Sequence, residues 1–300
     1  MMSDIFSINV AGDIIFDDSK FPIVKDDFYR CAVSHPDVNL KRKYPGSCVP
    51  FSLGEKLPII SYLQNRYLPE TDLETAAWGA DVISHRSALS AMTGFFFKLS
   101  VEVYQKRIFI RIRTLEIPGI PVQTTEQKNI GASTVSFFTD KEGQPKWRNY
   151  VFRKLKIGNH KVFFNAMIDA KKKDGDFVEI KARGGRRLKY GSALKLLLEN
   201  YLSGIECSLI GYHNKAGNMT KTEYFSSNEA LSKSYRIKKE KFDEELSKIE
   251  EVLTAISLYV EEHPDVKRFN VTKVSDKAGL KFEEEKEYDF LTSEFRLQFG

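Results

Sequence analysis

The sequence predicts a mixed α+β fold of the α/β kind: a single domain over residues 1–300 with largely antiparallel or mixed β-sheets flanked by helices. Three observations predict it. Runs with two-residue alternation and turn signals recur over 95–117 and 147–181, as in strands joined by hairpins. Segments with helical spacing occupy 71–92, 190–203 and 237–262. Hydrophobic residues make up 42% of the 300 and charged residues 29%, enough apolar surface to bury one sizeable core.

Composition also excludes function classes. No apolar run approaches the roughly 18 residues of a membrane helix, and the start MMSDIFSINV has no basic stretch ahead of an apolar one, so the expectation is a protein neither secreted nor membrane-embedded. Cys31, Cys48 and Cys207 are odd in number, far apart and without a CxxC, which argues against a disulfide framework and a zinc site. A reducing compartment, nuclear or cytoplasmic, is expected.

Taken in order, 1–60 carries turn signals at Asp17-Asp18, His35-Pro36-Asp37 and Tyr44-Pro45-Gly46, and predicts short strands with irregular connections. Thr71 to Met92 predicts one helix, with Thr71 as N-cap, Glu74 completing a capping box and Arg86 late on its length. That arginine is either a surface residue or a guanidinium aimed into a cleft. FFFKLSVEVY and RIFIRIRTLEI predict two strands joined through Gln105-Lys106. Arg107, Arg111 and Arg113 then share one face, which is either the wet side of the sheet or a phosphate-binding surface. Residues 118–145 read as a loop interrupted by a short run, Thr134 to Phe138. Trp147 to Leu155 is a strand, turned at Gly158-Asn159.

The segment VFFNAMIDAKKKDGDFVEIK, 162–181, predicts a central hairpin turned at Lys173-Asp174-Gly175-Asp176, because Asp-Gly favours tight turns. Pairing its two runs would bring Asp169 alongside Glu179 and Lys181, which alternation puts on one face. Arg183-Gly184-Gly185-Arg186-Arg187 follows as a basic loop. A helix then runs from near Tyr190 to before Gly204, with Leu194, Leu197, Leu198, Tyr201 and Leu202 as its buried stripe. Lys195 and Glu199 on it are either an ordinary surface ion pair or part of the same site. Ile205 to His213 is a strand, and Ile237 to Glu262 the longest helix, with Phe242, Leu246, Ile249, Leu253, Ile256 and Val260 facing the core. The acidic, aromatic end of the chain reads as edge strand or tail.

Two carboxylates beside an ammonium suit a divalent cation with a phosphate next to it, because hard cations take oxygen ligands and lysine offers a point charge. Charge supports a polyanionic partner. From Lys146 to Lys195 there are fifteen Lys/Arg against four Asp/Glu, in a chain whose net charge is only +5. A solvated basic face is the plainer reading of that excess. An Asp followed about ten residues later by Glu-x-Lys is also the arrangement of nucleases with a PD-(D/E)xK-like core.

Three stretches, in this order and at fitting intervals between about Lys43 and His213, carry a wider likeness. VISHRSALSAMTGFFFKLSVEVYQKRIFIRIRTLEIP, KLKIGNHKVFFNAMIDA, and FVEIK followed by ALKLLLENYLSGIECSLIGYH resemble the DXO-type family of decapping exoribonucleases, RNA 5′-end quality-control hydrolases. The resemblance matches Arg86 to the family's single-arginine motif, Asp169 to its Glu-x-Asp, Glu179 and Lys181 to its Glu-x-Lys, and Lys195 to its helix lysine. It also shows departures. The Glu of Glu-x-Asp falls on Met167, that of Gly-Tyr-Lys-Phe-Glu on Val135, and Glu199 stands where the family has glutamine. It implies catalytic roles for Lys181, Glu179 and Asp169, and one Mg²⁺ or Mn²⁺ on Asp169, Glu179 and the carbonyl of Ile180. It implies an RNA 5′ end held by Arg86, Lys195, Glu199 and Arg183. Two-metal phosphoryl chemistry needs more oxygen ligands than remain. The expectation is therefore an RNA 5′-end-binding relative with weakened or lost hydrolysis. The alternatives are a fully active decapping nuclease and a non-catalytic partner of a larger 5′→3′ exoribonuclease.

Overall fold

The computed structural model describes residues 4–9, 12–29, 38–41, 58–113, 125–140, 147–275, 278–286 and 290–300. The expectations at His35-Pro36-Asp37, Tyr44-Pro45-Gly46, Cys31 and Cys48, and the two ends of the 118–145 loop, lie outside them. In chain order come β1 (Ile5–Asn9), β2 (Ile14–Ile15), α1 (Pro58–Arg66), α2 (Leu73–Ala76), β3 (Val82–His85) and α3 (Arg86–Met92). Next are β4 (Phe97–Tyr104), β5 (Arg107–Arg113), α4 (Thr125–Phe138), β6 (Trp147–Ile157), β7 (His160–Ile168), β8 (Ala170–Lys171) and β9 (Phe177–Gly184). The rest are α5 (Tyr190–Ser203), β10 (Cys207–His213), β11 (Met219–Phe225), α6 (Asn228–Tyr235), α7 (Lys239–Glu262), β12 (Arg268–Lys273), β13 (Lys281–Glu284) and α8 (Ser293–Phe299).

The strands form a nine-stranded sheet, β13-β12-β4-β5-β3-β7-β6-β1-β2, and a four-stranded one, β11-β10-β9-β8. Both are mixed. β3 runs parallel to β5 and β7, and β9 runs parallel to β10 with α5 as the crossover between them. The other pairings are antiparallel, so the mixed α+β expectation describes the architecture. One face of the large sheet packs Phe109, Phe152 and Phe163 against α1 and α8 through Tyr62 and Phe295. Its other face packs Val82, Phe164 and Phe269 against α3, α5 and α7 through Leu89, Leu198 and Ile249. Each fully buried large side chain of this kind stabilises the fold by about 1.5–3 kcal/mol.

Tertiary pairing revises several local expectations. Thr71 to Met92 is not one helix. Asp72, not Thr71, caps α2 by accepting from Thr75 N–H, and the chain turns over Trp78 and Gly79, both in the left-handed region. Val82 to His85 are then recruited as the strand between β5 and β7, since an extended β-branched pair there completes a sheet buried on both faces. Arg86 therefore opens a helix instead of lying late on one. Much of the expected 118–145 loop is helix: α4 runs from Thr125 to Phe138 and takes in the run Thr134 to Phe138 as its last turns. In α5, Tyr201 is exposed, while Ala193 and Leu196 join Leu197, Leu198 and Leu202 in the buried set, because the helix is wedged between two sheets and buries two stripes.

The 162–181 hairpin is also revised. β7 pairs with β6 and β3, whereas β9 pairs with β8 and β10 in the other sheet. The Asp-Gly turn joins β8 to β9, held by Lys172 pairing with Asp174 and Asp176. Asp169 stands at the crossing point between the sheets. Helix α1, strands β11 and β12 and helix α6 carry no expectation from periodicity, and the end of the chain, read as edge strand or tail, supplies edge strand β13 but then helix α8. The Pro58 start with Ile59, Ile60, Tyr62 and Leu63 buried was a legible signal for α1.

Candidate active site

Asp169, Glu179, Lys181, Arg86 and Glu199 come together where the two sheets meet under α5. Glu179 lies on the face of β9 opposite Val178 and Ile180, which pack into an apolar cluster with α4. The same alternation points Lys181 and Arg183 towards α5. Arg86 arrives from the start of α3, because β3 ends at the seam.

The geometry is that of a charged row. Arg86 Nη1 donates to Glu179 Oε2 at 2.9 Å and to Ser203 Oγ at 2.8 Å. Lys181 Nζ donates to the other Glu179 oxygen, Oε1, and lies 3.1 Å from Glu199 Oε2. Ser203 Oγ donates in turn to the Glu199 carbonyl at 2.8 Å. Asp169 Oδ2 accepts from Ile180 N–H at 2.9 Å. Side-chain exposures of 12% for Arg86, 1% for Glu179, 21% for Lys181 and 17% for Glu199 make this a mostly desolvated network. Glu199 turns to Lys181, and the surface pairing with Lys195 is not made.

Electrostatics follow from that packing. Burial pushes the Glu179 carboxyl up, but Arg86 and Lys181 outweigh it and hold the group well below the usual carboxylate range. Burial opposes the charge on Lys181, and Glu179, Glu199 and Asp169 overcome it, raising its pKa. Asp169 goes the other way. Burial, reinforced by the Glu179 charge, pushes its carboxyl up to about 7. Between its ordinary value of 3.8 and that level, the folded state holds the proton more tightly than the unfolded chain. Stability is lost as pH rises through this window. Asp169→Asn, which retains an acceptor for Ile180 N–H, should therefore stabilise the protein by about 1–2 kcal/mol at pH 8 and by much less near pH 4. Urea titrations at the two pH values check the sign. A larger gain at the acidic end would contradict it.

The other sequence-derived residues are placed as follows. Arg183 is half-buried, with Nε buried and lacking a hydrogen-bond partner among the described residues. Lys195 is exposed, one turn before Glu199 on α5. Met167, 39% exposed, sits opposite Tyr150 near the end of β7 and brings no oxygen to the seam. Val135 packs from α4 into the cluster of Val178 and Ile180, on the opposite face of β9 from Glu179. The three-arginine face is not simply wet: Arg107 pairs with Glu74 at 3.2 Å and lies 3.8 Å from Asp81, and Phe109 beside it is fully buried. Sequence reasoning missed Ser203, the hydroxyl that holds Arg86 to α5. Its only signal was its place in the last turn of a helix directly following the Glu-x-Lys strand.

A divalent cation fits this arrangement poorly. The donors of Asp169, Glu179 and Ile180 are hard oxygens, but each Glu179 oxygen already takes a cationic hydrogen bond and one of the two Asp169 oxygens accepts from Ile180 N–H. Among the described residues no group of three or more His, Cys, Asp and Glu side chains is gathered to hold a metal. A groove of about 700 Å³ lies elsewhere, along α7, where Glu240, Asp243, Glu244 and Glu251 outnumber Lys248 and Lys273. Its carboxylates repel a polyanion, so chemistry and not volume picks out the seam.

This two-sheet frame, with Glu-x-Lys on β9 and Arg86 opening α3 after β3, has the fold of the DXO-type proteins Rai1 and Dxo1. Among solved structures the chain is similar to S. pombe Rai1 in complex with 3′-FADP, at 15% identity and TM-score 0.67, covering 94% of this chain and 92% of that one. It is similar to Candida albicans Rai1 in complex with pU5 and Mn²⁺, at 12% identity and TM-score 0.67, over 100% and 96%. K. lactis Dxo1 in complex with manganese matches at 12% identity and TM-score 0.67, over 95% and 89%. At such identities the likeness is one of fold. No family model and no curated protein matches the chain.

Proposed function

We propose that this chain binds RNA 5′ ends in the basic seam around Arg86, Lys181, Arg183 and Lys195, with metal-dependent hydrolysis weakened or lost. The observation that carries the reading is the double engagement of Glu179: both oxygens of this buried carboxylate are taken by Arg86 and Lys181. Met167 and Val135 add no carboxylate at the positions where the resemblance implies one. The local excess of basic residues supports attraction of a polyanion, and solved structures of the same fold hold nucleotide ligands and a short RNA of their own. Such a role would be exercised in the nucleus or the cytoplasm.

The test is binding and turnover of capped, triphosphate and monophosphate RNA, with Mn²⁺ and across salt, run beside Asp169→Ala. The expected result is no turnover, with binding whose log–log salt slope is about −2 to −3, as three or four phosphate contacts to a single strand would give. Turnover abolished by Asp169→Ala would instead select a fully active nuclease. Absence of RNA binding at low salt would leave the role of partner to a larger 5′→3′ exoribonuclease.

A further inference from the structure

We infer that Arg86 and Lys181 take the place of a divalent metal in this cleft, so that a terminal RNA phosphate is held by resident side-chain cations alone. The phosphate half of this rests on the RNA-binding reading above. The metal half stands on geometry.

Four charges alternate along the seam: Arg86, Glu179, Lys181, Glu199. The links are 2.9 Å from Arg86 to Glu179 Oε2, a direct bond from Lys181 to Glu179 Oε1, and 3.1 Å from Lys181 to Glu199. The row is balanced, two positive and two negative, before any ion arrives. Asp169 sits beside it with one oxygen given to Ile180 N–H. A dication approaching Glu179 would meet two like charges already in contact with that carboxylate, and would have to displace one of them. Neither is loosely held. Arg86 is tied through the same Nη1 to Ser203 on α5, and Lys181 is pinned between two carboxylates.

Along the cationic side of the row, donors are left over. The hydrogen bonds of Arg86 all leave from Nη1, whereas a guanidinium carries five N–H groups. Two residues along β9, on the side of Lys181, Arg183 buries an Nε without a partner among the described residues. Unspent N–H groups beside a charge-balanced row recognise an anion of small size, the chemistry of a terminal phosphate, without any bridging metal.

The test is Mn²⁺ titration of protein stripped with EDTA, read by the electron paramagnetic resonance signal of free Mn²⁺. Wild type should leave that signal undiminished. Arg86→Met should gain a site about tenfold tighter or more. Lys181→Met should gain one independently, should the first variant fail to fold. Arg86→Lys, which keeps the charge, should gain none, and this separates release of Glu179 from mere loosening. Stoichiometric Mn²⁺ binding by wild type, weakened or unchanged in the Met variants, would overturn the inference. In parallel, a 5′-monophosphorylated oligoribonucleotide should bind equally well in EDTA and in Mn²⁺. A requirement for Mn²⁺ would also overturn it. Failure to bind RNA in either buffer sinks the RNA reading, while the Mn²⁺ comparison still decides whether the cations stand in for the metal.

Discussion

Glu179→Ala is expected to lose about 3–5 kcal/mol of folding stability, because it leaves two buried cations without their counter-charge. Arg86 and Lys181 each bond one oxygen of this carboxylate, and the side chain itself is essentially inaccessible. Removing one partner of a buried pair costs far more than the pair contributes, since the remaining charge keeps its desolvation penalty. The loss should appear as a lower urea midpoint with an unchanged slope. A double variant, Glu179→Met with Arg86→Met, should recover part of it, because one of the stranded charges goes too. A loss below about 1 kcal/mol in the single variant would mean that water reaches the seam and that the charged row is a surface feature.

Glu102→Ala should be comparably damaging, by about 3–5 kcal/mol, although it lies far from the seam in sequence and function. Glu102 is buried on β4 and anchors the end of the chain. Its Oε2 accepts from Phe290 N–H at 3.2 Å and Leu291 N–H at 3.1 Å, and its Oε1 pairs with Arg296. Around this hub, Tyr104 donates to the Arg296 carbonyl at 2.9 Å, and Gln298 donates to the carbonyls of Gln64 and Tyr67 near the end of α1. The carboxylate thus fastens α8 over the aromatic face of the large sheet, where Phe295 and Phe299 are buried. Alanine would remove the buried carboxylate that Phe290 N–H, Leu291 N–H and the Arg296 guanidinium share. Limited proteolysis should then cut within 290–300 well before the rest of the chain yields. Unaltered resistance of that segment would refute the anchoring role.

Much of the architecture was legible locally. Strands β4 and β5 with their Gln105-Lys106 turn, the β6–β7 hairpin at Gly158-Asn159, α5 with its Gly204 stop, β10 and α7 all follow from patterns a few residues long. So did the residue types of the seam, because Asp169 and the Glu179–Lys181 pair carry their chemistry wherever the fold puts them. Less legible were segments whose state is chosen by a distant partner. Val82 to His85 looks helical beside its alanine-rich neighbours, yet it becomes a strand because β5 and β7 offer it ladder bonds on both edges.

Alone, then, the amino-acid order determined the alternation of β9, the stop of α5 at Gly204 and the basic excess around a few carboxylates. The tertiary structure alone decided that β7 and β9 belong to different sheets, that Arg86 opens a helix at their seam, and that Glu199 answers Lys181 and not Lys195. The division has a physical cause. Periodicity, caps and turn chemistry act between residues a few positions apart, whereas the charged row joins positions 86, 179, 181, 199 and 203, and only strand pairing across two sheets brings that set within hydrogen-bonding reach.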